Sequence, residues 1–487
     1  MTLDLVSRTV FPQIPQKLNP WEKTVQVIIS TFVFFALFVV YRNQISMGAH
    51  WDVGWIKHVI WRNPLQEMPN SCCALDGENS IFIAWSWHSI PLFSIFSLIS
   101  FVFPFGQQVW LITFLALPYA IIVYSVIYFG LTSVSSPRAR MKILFVSLFS
   151  TIVALSFGVF RSIYFPHYEI YFCSFLLLFL YYLQKTSKLP SILSLLLCIS
   201  VKEDSAFYLV ILYMVFFWQL ESKRKLIANS LLLLSSSLIY LILLSFVSFT
   251  DPPNPSFPNQ TALESQYLGS PAFRHLTADF LYERIRLNVV DNLLLYLLIA
   301  LLLLIAKSPA IGYSPRVLYA VFPHVIVALI GIASVKGGWA VYHQIPIWTT
   351  VLLFLIYFQM HFQILNRKVF LVPLLTLCIS SLLSTSSKYI YDGINPPYDR
   401  SLIDRNVQSV INQAVSRGDI LDTNFFVYNS NKVSIHSWLR EYTDFKNGMC
   451  LVSLNNSNSI SKLSEITGDR NPKITFLAIP FQRTCYS

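Results

Sequence analysis

Three consecutive ionisable residues, Lys202-Glu203-Asp204, interrupt an otherwise apolar stretch at 189–219. Such a triplet would cost on the order of several kcal/mol at a bilayer centre, so it needs partners or a place at a membrane face. Lys can hold a phosphate, and carboxylates can act as bases. The same residues also suit a structural ion pair between Lys202 and Glu203, with Asp204 capping the next helix. Other chemistry-bearing residues stand in short intervals between apolar runs. Asp52 follows the first run, in Gly48-Ala49-His50-Trp51-Asp52-Val53-Gly54-Trp55, and His88 opens a run at 88–104. Arg161, His167 and Glu169 share the interval 161–169. Glu169 stands at a helix entry, where the macrodipole also favours an acid. Lys336 and His343 bracket a glycine-rich, aromatic turn that suits either an anionic group or an interface position.

These residues must be positioned by the apolar runs. The clearest are 25–41, 109–131, 143–159, 168–184, 226–248, 289–306, 317–335, 345–363 and 369–385. A hydrocarbon core of ~30 Å needs about 20 residues at 1.5 Å rise, and each run is about that long. Composition agrees, with 55% hydrophobic and 12% charged residues and a mean hydropathy of +0.56. The expected class is an all-α polytopic membrane protein.

The net charge of +11 would suggest nucleic acid for a soluble chain. Here cytoplasmic loops account for it, because they accumulate Lys and Arg, and no nucleic-acid partner is expected. Basic connectors stand at 138–142, 185–188, 223–225, 307–316 and 367–368. Placing all of them inside requires that 88–104 lie in the outer interface or re-enter. Its flanking Trp85 and Trp87 suit an interface. It also requires two short helices, 189–201 and 205–219, with the charged triplet at their outer tip. The count becomes about eleven spans, amino terminus inside and carboxyl terminus outside. Asp52, His88, His167, Glu169, Lys202, Glu203, Asp204 and His343 then share the outer face.

Three parts follow: a cytoplasmic segment 1–24, a transmembrane domain 25–385 with outer loops 42–108 and 249–288, and an extracytoplasmic tail 386–487. No small-residue cleavage site follows the first run, which reads as a retained anchor. The tail turns polar, with a helix expected near 402–416 and strand-like runs at 424–428 and 474–479, as in a small α/β domain. Cys173, Cys198 and Cys378 lie in apolar runs and read as packing residues. Cys450 and Cys485 lie in the tail and can pair. No cysteine spacing resembles a zinc site.

The succession Trp51-Asp52-Val53-Gly54, Trp87-His88-Ser89, Phe165-Pro166-His167-Tyr168-Glu169 and Val201-Lys202-Glu203-Asp204 resembles the bacterial membrane-protein family called domain of unknown function 2079. The resemblance covers most of 45–345, and the Lys-Glu-Asp match is its most specific element. Ile56-Lys57 replaces an acid usual after the first motif, Trp87 replaces the acid before His88, and Tyr168 is inserted between His167 and Glu169. That family is similar in layout to GT-C membrane glycosyltransferases, which take sugars from lipid-phosphate donors and carry an essential acid after the first helix.

The resemblance implies a GT-C-like enzyme of the bacterial plasma membrane, with a polyprenyl-phosphate sugar as donor and membrane lipids around it. Asp52 would be the base or charge stabiliser, with Glu169 and His167 beside it. Lys202, Arg161, Lys336 and His343 would hold the phosphate. Glu203, Asp204 and His88 would position the sugar or a divalent cation, Mg or Mn. The rival is a transporter or lipid flippase, because intramembrane charges also mark transport pathways.

Overall fold

The first apolar run opens on a helix-start signature, Asn19-Pro20-Trp21-Glu22. The Glu22 amide donates to Asn19 Oδ1 (2.9 Å), and the Asn19 amide donates to Glu22 Oε2 (2.7 Å). Proline at the first helical position loses an amide that would be unsatisfied anyway. Helix α1 (Pro20–Ser46) therefore begins before the apolar run itself. The computed structural model describes residues 18–46, 56, 91–103, 106–133, 140–156, 159, 162–163, 167–202, 205–206, 208–210, parts of 224–239, most of 273–301, 329, 345–362, 371–383, 400–421, 450–454, 473–478 and 481–485.

The other described helices are α2 (Pro91–Val102), α3 (Gln107–Ser133), α4 (Arg140–Leu155), α5 (Ile170–Gln184), α6 (Lys188–Ile199), α7 (Ala278–Asp291), α8 (Ile345–Phe362), α9 (Leu371–Leu383) and α10 (Arg400–Arg417). Helix makes up 83% of the described residues, so the class is mainly α with one small sheet. Among the described residues, two stretches are long and apolar enough to cross a membrane, Pro20–Arg42 and Val109–Ser133. The expected spans 226–248 and 317–335 lie largely outside the described residues, whereas 289–306 is described in part, with helical residues as far as 301.

Helix α2 has 12 residues, which at 1.5 Å rise gives about 18 Å, too short for a ~30 Å core. Helix α7 was not expected; 249–288 reads as a loop. Its sequence, Ala278-Asp279-Phe280-Leu281-Tyr282-Glu283-Arg284-Ile285-Arg286, mixes charged and apolar residues, which hides it from a search for long apolar runs. Thr277 starts it, with the Phe280 amide donating to Thr277 Oγ1 (3.2 Å). Arg284 lies over the Phe280 ring (4.8 Å), and its partial burial lowers the guanidinium pKa from its ordinary value.

The chain divides into two compact units. One comprises Met1–Ala36, Ala84–Leu92 and Leu115–Ser387; the other comprises Leu37–Ile83, Phe93–Phe114 and Lys388–Ser487. In the first unit, α3 and α4 approach closely at Gly130, where a Cβ would stand 2.3 Å from Ser150 Oγ. Beside that contact Gln359 Nε2 donates to Ser133 Oγ (2.6 Å), which donates to the Gly130 carbonyl (2.8 Å). A small apolar crevice opens there, lined by Val126, Phe129, Phe149, Val153, Leu355 and Leu374. At the end of α5, Tyr181 meets Tyr124 through their hydroxyls (3.0 Å), and Lys185 donates to Tyr181 while lying over its ring. Gln26 ties α1 to this cluster by donating to the Tyr124 carbonyl (2.8 Å).

In the second unit, Phe96 of α2 meets Phe114 of α3 edge-on at 4.5 Å. The tail carries α10 and strands β1 (Ile420–Leu421), β2 (Cys450–Leu454), β3 (Lys473–Ala478) and β4 (Phe481–Cys485), in sheet order β1-β2-β4-β3. Strand β1 pairs parallel to β2, and the other pairings are antiparallel. Cys450 faces Cys485 in register and the two form a disulfide, the pairing open to them in the sequence. Helix α10 stops at Gly418 in the left-handed region (φ 69°), with the Asp419 amide donating to the Ala414 carbonyl (2.9 Å). That is the Schellman arrangement, which suits glycine. The turn delivers Asp419 to Arg483, a two-pronged ion pair at 2.7 and 2.8 Å. The bonded carboxylate raises the Arg483 pKa above its ordinary value.

Candidate functional site

Helices α5 and α6 form a hairpin. Helix α5 ends at Thr186, which adopts φ 56°, and the Ser187 amide closes the turn on the Tyr182 carbonyl (3.0 Å). Because the chain doubles back, the start of α5 and the end of α6 lie at one end of the hairpin. Glu169 stands at the N-cap of α5, and Lys202 follows the last turn of α6. Their charged ends meet: Lys202 Nζ donates to Glu169 Oε1 at 2.7 Å. Both residues are buried, at 3% and 6% exposure, and so is His167 at 8%. The His167 ring lies 4.1 Å from that of Tyr168.

A helix-entry acid ordinarily accepts from the helix's own first amides. Glu169 makes no such side-chain cap bond; its Oε1 accepts from Lys202 instead. Lys202 is therefore paired with Glu169, which the sequence offered as a separate candidate, alongside the reading that it pairs with Glu203.

The segment carrying Lys202 is pinned. Helix α6 ends at Ile199, as the charged triplet led one to expect, and helical residues resume at 205. The Leu92 amide, in the first turn of α2, donates to the Ser200 carbonyl (2.9 Å). One bond thus satisfies an orphan donor at one helix start and an orphan acceptor at another's end. The Ser205 amide donates to the Lys202 carbonyl (3.0 Å).

Two further residues support the turn before His167. Ser162 Oγ donates to the Val159 carbonyl (2.6 Å), so Tyr119 is the donor in its 2.9 Å bond to Ser162 Oγ. Both side chains are fully buried. Tyr119 lies in an apolar run, and nothing in the sequence separates it from a packing aromatic.

Of the expected site, His167, Glu169 and Lys202 are described, and Lys202 and Glu169 are brought into contact. Asp52, His88, Arg161, Glu203, Asp204, Lys336 and His343 lie outside the described residues. Among the described residues, no group of three or more His, Cys, Asp or Glu could hold a metal. A divalent cation on Glu169 would also meet the Lys202 ammonium, 2.7 Å from the carboxylate. The residues expected to position a sugar or a divalent cation, Glu203, Asp204 and His88, lie outside the described residues, and no step is derived through a metal.

A buried ammonium–carboxylate pair beside a histidine can bind an anion, relay a proton or fix two helix ends. No family model, curated protein or solved structure matches the chain.

Proposed function

We propose that the chain is a GT-C-like membrane glycosyltransferase that moves a sugar from a polyprenyl-phosphate donor to an extracytoplasmic acceptor. The observation that carries this reading is the Lys202–Glu169 pair, buried beside His167 at the end of the α5–α6 hairpin. Burying two charges is costly, and a hydrophobic pair of similar volume often serves stability as well or better. The pair is therefore better understood as part of a site than as a brace. It has the two chemistries the reaction needs, a cation for phosphate and a carboxylate for a sugar or a proton.

In the proposed step, an acceptor hydroxyl oxygen attacks the anomeric carbon of the donor sugar. The bond from that carbon to the phosphate oxygen breaks, and its electron pair leaves with the polyprenyl phosphate. Asp52 takes the hydroxyl proton, and Lys202 stabilises the charge gathering on the phosphate. Preorganised charge of this kind is the usual way proteins favour such a leaving group.

The chain would cross the bacterial plasma membrane about eleven times, with the tail outside. The short α2 supports this, because a crossing at 88–104 would put the next three basic connectors outside. The Cys450–Cys485 disulfide supports an outer tail, because disulfides persist in oxidising compartments.

The test is turnover by purified full-length protein with a panel of polyprenyl-phosphate sugars, following release of polyprenyl phosphate by mass spectrometry. Release with at least one donor is expected. Movement of an unchanged lipid across a vesicle membrane, with no sugar released, would favour the transporter instead.

A further inference from the structure

We propose that the exposed face of the α5–α6 hairpin holds an acidic phospholipid. Its phosphate sits at Lys185 and Lys188, and an acyl chain lies along Leu189, Ile192, Leu193 and Leu196. The proposal rests on the membrane placement above and is independent of the sugar-transfer step.

Helix α6 turns its small residues inward and its large apolar residues outward. Ser191, Ser194 and Cys198 are buried. The Cys198 thiol donates to the Phe172 carbonyl of α5 (3.6 Å), so this face packs on the other arm of the hairpin. Both serine hydroxyls donate within their own helix, Ser191 to the Ser187 carbonyl (2.7 Å) and Ser194 to the Pro190 carbonyl (2.8 Å). On the other face, Leu189, Ile192, Leu193 and Leu196 follow at helical spacing and are 42–67% exposed. Such a stripe is unfavourable in water and marks a surface that an apolar partner covers. Residue size selects that partner. Helices in a membrane associate over small residues, and on α6 those face α5. The outer stripe is Leu and Ile throughout, which suits a lipid chain. From Leu189 to Leu196 it rises about 10 Å, within the ~15 Å depth of one leaflet's hydrocarbon.

Charge selects the lipid. Lys185 is the C-cap of α5 and Lys188 opens α6, with only Thr186 and Ser187 between them. Both lysines are exposed at the end of the hairpin where the stripe begins. The Lys185 ammonium donates to the Tyr181 hydroxyl and lies over the Tyr181 and Tyr128 rings (4.2 and 5.4 Å), which fixes its place. One such bond leaves two ammonium hydrogens for another acceptor. Lys185 complements the dipole of α5, but Lys188 stands in the first turn of α6, where the dipole disfavours a cation. The hairpin supplies no counter-ion here, since no Asp or Glu occurs between Glu169 and Glu203. An external anion offsets both charges, and the stripe beside them requires that it carry a hydrocarbon chain.

The experiment titrates purified full-length protein in one neutral detergent with dioleoyl phosphatidylglycerol and dioleoyl phosphatidylcholine, which share chains and differ in net charge. Native mass spectrometry counts the bound lipids. A lysine beside an acidic headgroup is worth about 5-fold in affinity, so wild type should prefer the first phosphatidylglycerol by roughly 25-fold. Lys188→Gln should cut that preference roughly 5-fold, and Lys185→Gln together with Lys188→Gln should abolish it. Lys188→Gln leaves the Tyr181 bond intact, so it reads the site even where the double variant unfolds. Lys142→Gln with Arg224→Gln, on other basic connectors, should keep the preference. Leu189→Ser with Leu193→Ser should weaken both lipids alike. Equal binding of the two lipids by wild type, or an equal fall in the Lys142, Arg224 pair, would overturn the site. A dimer that dissociates in the Leu189, Leu193 variant would give the face to a second copy and overturn it as well. None of these results bears on turnover with a sugar donor.

Discussion

Lys202 and Glu169 are 33 residues apart in the chain and 2.7 Å apart at their charged ends. The hairpin of α5 and α6 makes this contact, and the burial of both ends makes it consequential. Removing one partner leaves the other as an uncompensated buried charge. Lys202→Met should therefore cost about 3–5 kcal/mol in unfolding. Adding Glu169→Gln to the same chain should return most of that loss. Thermal unfolding of the single and double variants in one detergent checks this; a double variant no better than the single would mean the charges are not coupled.

The close approach of α3 and α4 gives a second expectation. Gly130→Ala puts a methyl 2.3 Å from Ser150 Oγ. The serine hydroxyl must turn away or the helices must part, costing roughly 1–3 kcal/mol. Ser150→Ala in the Gly130→Ala background should recover most of it, because Ser150 Cβ stands 3.5 Å from the added atom. No recovery in a thermal melt would point to a helix shift instead.

Two helix ends use the same left-handed position with opposite residue choices. Gly418 adopts φ 69° with open space around its missing side chain, whereas Thr186, a β-branched residue, adopts φ 56°. Gly418→Ala should cost about 1 kcal/mol and Thr186→Gly should gain about as much. Opposite shifts in unfolding are the expected result, and shifts of the same sign would contradict it.

The disulfide gives an expectation about both stability and side. Cys450 and Cys485 should resist a membrane-impermeant maleimide on intact cells until reduced from outside, and then label. Replacing both with Ser should destabilise the tail by about 2–5 kcal/mol. Free, unlabelled thiols behind an intact membrane would put the tail inside.

Much of the helical framework was legible, because an apolar run of sufficient length leaves few other folds. The break after Ile199 was legible from the cost of Lys202-Glu203-Asp204 in an apolar run. The tail helix was legible near 402–416 and is found at Arg400–Arg417. The strand at 473–478 and the Cys450–Cys485 pairing could also be read. Helix α7 was not legible as an apolar run, since charged residues at 279, 283, 284, 286 and 291 interrupt its apolar ones. The partner of Lys202 was not legible either. Sequence adjacency offered Glu203 as one possible partner, whereas the helical hairpin supplies Glu169. The bond from Tyr119 to Ser162 had no signal at all, because a buried phenol and a packing ring look alike in an apolar run.

The most direct test of the proposed reaction compares release of polyprenyl phosphate by wild type and Asp52→Asn, with donor binding measured in parallel. Asn is nearly isosteric with Asp, so folding and binding should persist. Loss of a general base is typically worth about 10²–10⁴-fold in rate, and turnover should fall by that much. Equal turnover by the two proteins, with equal donor binding, would contradict the assignment of Asp52 and the mechanism built on it.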